Sequence, residues 1–145
     1  MNFEQLSDEW DKDCNIDEDH LDRSAIKTAQ LHSKYLRILV NHKMKLSALE
    51  TEYKVLRQKK FRYYRGEMSK QELQEENWDQ WQGIKPLKNE MNEFLDGDAD
   101  LNKINIKCEY IKNMIEAVES ILNQLKGRDW QIRNAIEWKK FVSGS

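Results

Sequence analysis

An all-α protein built from long helices is predicted by this sequence, on three observations. Five glycines and one proline in 145 residues leave too few turn-formers for a sandwich or barrel, whose strands reverse about every 8–12 residues. Apolar residues recur at spacings of three and four along two long stretches, the periodicity of helices that face a partner helix and form coiled-coil-like seams. Charged residues make up 34% of the chain against 39% hydrophobic, which suits rods with wet outer faces. One compact unit is expected from the length, with a functional division into an N-terminal helical region, 1–95, and a C-terminal one, 96–145.

The first helix is short and acidic. From Met1 to Asp22 nine carboxylates stand against Lys12, yet Phe3, Leu6 and Trp10 at helical spacing say that the helix docks on something. A second helix is expected to start near Asp17, which can cap it, and to run on without Gly or Pro. Its inward register reads Thr28, His32, Tyr35, Leu39, His42, Leu46, Leu49, Tyr53, Leu56, Lys60 and Tyr63. His32 and His42 lie within that stripe as packing residues, with no carboxylate or cysteine at ligand spacing, so no metal site is expected there. The helix breaks at Gly66.

Ser69 and Glu72 form a capping-box pattern for a third helix over Lys70 to Gly83, polar except for Leu73, Trp78 and Trp81. Pro86 interrupts, and Leu87, Met91, Phe94 and Leu95 restore an amphipathic spacing. Asp96, Asp98 and Asp100 resemble the opening of a calcium loop. Leu101 and Lys107 occupy its glycine and glutamate positions, so a turn and a helix N-cap is the preferred reading. Leu101, Ile104, Cys108, Ile111, Ile115, Val118, Leu122 and Leu125 then mark a seam that ends at Gly127 and can be buried within one chain or between chains. Asp129 is expected to cap a last helix whose Trp130, Ile132, Ile136, Trp138 and Phe141 are too apolar for a loose tail.

The least evenly distributed feature is charge. Lys54 to Arg65 reads KVLRQKKFRYYR, with six cations and no acid, in a chain of net charge −2. Lys54, Arg57, Lys59, Lys60, Arg62 and Arg65 can neutralise phosphates while Tyr63 and Tyr64 stack on bases, a combination that points to a single-stranded nucleic acid. Phe61 is expected to close the helical core; for each tyrosine core packing and base stacking both stand. On a helix Arg57, Lys60 and Tyr64 share one face and Arg62 and Arg65 another. The acidic start can fold onto this segment, steer a partner or regulate access.

Phosphate-loop, zinc-protease and serine-hydrolase motifs are missing, and no cofactor or catalytic residue is expected. Cys14 and Cys108 are isolated thiols, no apolar run approaches the roughly 20 residues of a membrane span, and the start is acidic. A soluble, cytoplasmic protein that binds and organises is the expectation. The rival reading is a structural coiled-coil adaptor whose basic end meets an acidic protein. Double-stranded DNA fits less well, because no recognition-helix arrangement is visible.

Several segments carry a family resemblance: Ile16-Asp17, Leu31-His32-Ser33-Lys34-Tyr35-Leu36, the basic stretch into Tyr63-Tyr64-Arg65-Gly66, Phe94-Leu95-Asp96-Gly97-Asp98-Ala99-Asp100, and Trp138 to Gly144. In order, spacing and total length the chain resembles the UvsY recombination mediators of T4-like phages. The resemblance implies a non-enzymatic factor that forms ring-like homo-oligomers, hexamers or heptamers, and binds single-stranded DNA. It further implies that the factor loads a RecA-like phage recombinase onto strands coated by the phage single-stranded-DNA-binding protein. The family's Lys-x-Arg pair ahead of Tyr-Tyr falls on Gln58 and Lys60, so one cation is absent here. Its oligomer contacts lie toward the C-terminus, which implicates Ile104, Ile111, Ile115, Val118, Leu122, Trp130, Ile136, Trp138 and Phe141.

Overall fold

In a computed structural model, residues 1–144 are described and form six helices with no strand among them. Ser145, the end of the expected C-terminal region, lies outside the described residues. The helices are α1 (Phe3–Asp13), α2 (Leu21–Tyr64), α3 (Lys70–Glu76), α4 (Met91–Asp96), α5 (Ala99–Lys126) and α6 (Arg128–Ser143). Two compact units share α2 and α5: Met1–Met44 with the chain from Ile111 onward, and Lys45–Tyr110.

In the first unit α1 is closed by a full capping box, Asn2 with Gln5. Its carboxylates then dock it: Lys34 Nζ lies 2.6 Å from both Glu9 and Asp13, and the Tyr35 hydroxyl donates to Asp13 at 2.9 Å. Burial pushes the Asp13 carboxyl up, but Lys34 and Tyr35 draw it below the usual range. Trp10 meets the Tyr35 ring edge-on at 5.4 Å, and Leu6 is buried while Phe3 stays exposed.

α2 starts at Leu21, four residues beyond the expected Asp17. Asp17 caps its own turn instead, accepting from Asp19 N and pairing with His20 Nδ1. The inward stripe holds at Tyr35, Leu39 and His42, whereas His32 is exposed and Leu31 buried in its place. In α5 the buried positions here are Met114, Ile115, Val118, Ile121 and Leu125, with Ile111 and Leu122 half-buried. A helix of 3.6 residues per turn drifts off a strict heptad, which is why Met114 and Ile121 join the seam.

Gly127 takes ordinary helical torsions, and α6 follows at once from Arg128 without the expected Asp129 cap. Arg128 is itself buried. Its guanidinium donates to Thr28 Oγ1 and to the carbonyls of Asp13, Cys14, Asn15 and Ser24 at 3.1–3.5 Å. It thereby satisfies the orphan carbonyls at the end of α1. α6 also buries Ile132 and half-buries Ile136, but Trp130, Trp138 and Phe141 are exposed, the last two stacked at 5.7 Å.

In the second unit the last third of α2 packs on α4 and the start of α5 through Tyr64, Met91, Leu95 and Leu101. α3 is half the expected length. Asn77 takes a left-handed conformation (φ 59°) and Trp78 N–H reaches back to Leu73 O, a stop that leaves Trp78 and Trp81 in the following loop. The Asp98 carboxylate accepts from Leu101 N at 3.0 Å, the expected N-cap of α5. Ile104 and Cys108 are buried along the same face. Among the described residues no helix is long and apolar enough to cross a membrane.

Candidate nucleic-acid interface

At about 100° per residue the end of α2 turns two unlike faces outward and inward. Lys60, Tyr63 and Tyr64 lie on the inner one. Lys60 is buried with its Nζ 3.2 Å from Asp98 and 2.8 Å from Asp100, and 4.1 Å from the centre of the Trp78 ring. Charge, hydrogen bonding and a cation–π contact together make its burial tolerable. The buried Tyr64 hydroxyl donates to Asp98 at 2.6 Å, and Tyr63 donates to Asp79 O at 2.6 Å, which ties down the loop after α3.

Burial pushes the Asp98 carboxyl up, and the Tyr64 hydroxyl, Leu101 N–H and Lys60 more than offset it, leaving the group below the usual range. The same burial and contact raise the Tyr64 phenol. Tyr64, Trp81 and Phe94 meet at centroid distances of 4.9–6.1 Å and line a shallow cleft of about 380 Å³ with Glu93 and Gly97. Phe61 is half-buried beneath Arg65, whose guanidinium carbon is 5.6 Å from the ring centre.

Lys54, Arg57, Gln58, Lys59, Arg62 and Arg65 occupy the outer arc. Lys54, Arg57, Gln58 and Arg65 are exposed and Lys59 and Arg62 half-exposed. Arg57 donates to Asn92 at 3.2 Å. Lys59 pairs with Glu76 at 2.6 Å, Arg62 with Glu72 at 2.9 Å and Arg65 with Glu67 at 2.9 Å. The partners of the basic stretch therefore come from Glu67 to Asp100, while Glu9 and Asp13 of the acidic start are engaged by Lys34. Sequence reasoning missed Trp78 as the cover of Lys60 and the role of these acids. The only signal was Glu72 in the Ser69 pattern: Ser69 caps Glu72 N–H as expected, but the Glu72 carboxylate turns to Arg62.

This surface belongs to a recognisable lineage. A family profile described as "Recombination, repair and ssDNA binding protein UvsY" matches residues 9–145. The recombination protein UvsY of Enterobacteria phage T4 is 25% identical over 144 residues, 99% of each chain. Crystal structures of the bacteriophage T4 recombination mediator protein UvsY share the fold. One lattice form matches with a TM-score of 0.84 at 24% identity, over 99% of this chain and 98% of that one. A second gives 0.81 at 24% identity, over 98% and 99%. A chain with this helical order, matched from residue 9 to its end, belongs to the UvsY family of recombination, repair and single-stranded-DNA-binding proteins.

Proposed function

We propose that this protein is a recombination mediator that binds single-stranded DNA along the outer arc of α2. Loading of a RecA-like phage recombinase onto strands coated by the single-stranded-DNA-binding protein follows from that activity. The observation that carries the reading is the basic arc itself: Lys54, Arg57, Lys59, Arg62 and Arg65 reach solvent, fully or in part, around the end of one helix, in a member of a family described as single-stranded-DNA-binding. Flexible cations around a helix end suit a strand read by its phosphates. Lys60, Tyr63 and Tyr64 support the arc from within, and Gln58 adds a neutral donor on its surface.

Region 1–95 then carries strand binding and region 96–145 self-association. Exposure of Trp130, Trp138 and Phe141 on one short helix supports a homo-oligomer, hexameric or heptameric, with the half-buried Ile111, Leu122 and Ile136 at its margin and the buried Ile104, Ile115 and Val118 as its internal support. A ring presenting six or so arcs to one strand gains avidity through effective concentration. Distortion of the coated strand then exposes DNA to the recombinase in the host cytoplasm.

The test is a titration with fluorescent single- and double-stranded oligonucleotides at several salt concentrations, with mass from light scattering. Salt-sensitive preference for the single strand is expected. Replacing Lys54, Arg57, Lys59, Arg62 and Arg65 by Ala is expected to flatten the log–log salt slope by about 0.7 per lost phosphate contact. Unchanged affinity and slope would move the reading to the adaptor alternative.

A further inference from the structure

Three of the five cations of the outer arc, Lys59, Arg62 and Arg65, are already engaged by carboxylates. Gly66, at φ +71°, reverses the chain immediately after α2, and Glu67 N–H closes the reversal on Arg62 O. α3 thus returns alongside the helix it follows. Glu72 takes Arg62 in a fork, Oε2 to Nη1 at 2.9 Å and Oε1 to Nη2 at 3.2 Å, while Glu76 holds Lys59 and Glu67 holds Arg65. Side chains in these three pairs are 30–47% exposed, against 7% and 4% for Lys60 and Asp98. α3 itself buries no residue. The loop after it is tied down by Tyr63 and Trp78, while the hold of the three carboxylates on the arc rests on ion pairs that water and salt can exchange.

We infer that Glu67, Glu72 and Glu76 are built-in competitors of phosphate that set the affinity of the strand-binding face. They occupy three of its cations as carboxylate stand-ins for phosphate, so that every phosphate reaching one of those cations must first displace a carboxylate and a strand is held less tightly than the charge of the arc alone would hold it. The inference rests on the proposed strand binding. A mononucleotide or very short oligonucleotide gains one or two contacts and must break pairs that the chain keeps at high effective concentration. A long strand displaces the first carboxylate and then meets the others as an already tethered ligand. Arg57, which donates to the Asn92 amide, and Lys54, neither of them held by a carboxylate among the described residues, provide the first foothold.

The test compares the wild-type full chain with Glu67→Gln/Glu72→Gln/Glu76→Gln, the strap variant, in which the three carboxylates laid across the arc are neutralised. The probes are fluorescent oligothymidylates of about 6 and about 40 nucleotides, the shorter within one small binding footprint. Glu4→Gln/Asp8→Asn/Asp11→Asn supplies a control with the same change of charge on exposed residues of α1. At roughly twofold per exposed pair, the strap variant is expected to bind the long probe about tenfold more tightly. It should gain less on the short probe, about two- to fourfold, because that probe displaces only one or two of the pairs, so that the gain grows with strand length. The control should move both probes equally and by less than about threefold.

A strap variant indistinguishable from the control, while alanine replacement of the five arc cations still abolishes binding, overturns this inference and leaves strand binding standing. If the five-cation variant binds like wild type, both fall. Circular dichroism verifies helicity, and should the triple variant unfold, Glu72→Gln alone is expected to tighten short-probe binding about twofold; no change in that variant also overturns the inference.

Discussion

Replacing Asp98 by Ala tests the second unit at its most densely used carboxylate. Asp98 is 4% exposed and accepts from Leu101 N, the Tyr64 hydroxyl and Lys60 Nζ. Loss of the N-cap costs about 1 kcal/mol. Stranding the buried Tyr64 hydroxyl costs about 1–3 kcal/mol, and Lys60 is left with Asp100 alone, whose side chain is 53% exposed. The two terms sum to about 2–4 kcal/mol, to which the weakened hold on Lys60 adds, a large share of the roughly 5–15 kcal/mol of a typical domain. Urea unfolding followed by far-UV circular dichroism measures it. Asp98→Asn keeps one acceptor, which can retain the Leu101 N–H cap while its amide NH2 faces the Tyr64 hydroxyl, and should lose less than Asp98→Ala. Adding Lys60→Met to Asp98→Ala should recover part of the loss, because an apolar side chain replaces a buried cation short of a partner. A loss under about 1 kcal/mol for Asp98→Ala, with an unchanged urea slope, would refute the account of Lys60 and Tyr64 as a supporting network.

Arg128→Met should cost about 3 kcal/mol by stranding carbonyls at the end of α1, and hydrogen exchange should show α1 losing protection first. Folded-state depression of Asp13 and Asp98 gives stability that is full above about pH 4, the unfolded carboxylate range, and is lost as pH falls through their lower folded values; acid titration of the melting temperature checks this. At the alkaline end Tyr35 and Tyr64 are raised, so their contribution is full below about pH 10 and fades above it, and Phe replacements should flatten that limb. Trp138→Ser/Phe141→Ser should lower the mass seen by light scattering while helicity is retained, because both side chains are exposed within the chain.

Much of the fold was legible because helices write their burial at a fixed period. The stripe of α2 and the seam of α5 could be read from spacing alone, down to the unusual Lys60 at an inward position. What escaped was local competition. Asp17 had the chemistry to cap α2 but spends its oxygens on Asp19 and His20. Asn77 stops α3 early through a left-handed turn that a polar, Gln-rich sequence does not announce. The six cations at the end of α2 were evident, but not which ones reach solvent. That sorting depends on Asp98, Asp100 and Trp78, which join Lys60 only after the chain has passed through α3 and an irregular loop. Period predicts which face is inward; it does not predict what waits there.

The Arg128 clamp has a consequence for how the molecule is made. Its donors reach carbonyls 113–115 residues earlier in the chain, at Asp13, Cys14 and Asn15. On a ribosome α1 emerges well before Arg128, and the contacts that close its end do not exist until more than a hundred further residues have been added. Early in translation those carbonyls have only water. Chains cut short before Arg128 would keep α1 docked by Lys34 and Tyr35 but leave the carbonyls at its end open, so this one arginine makes synthesis through position 128 a condition for that end to settle.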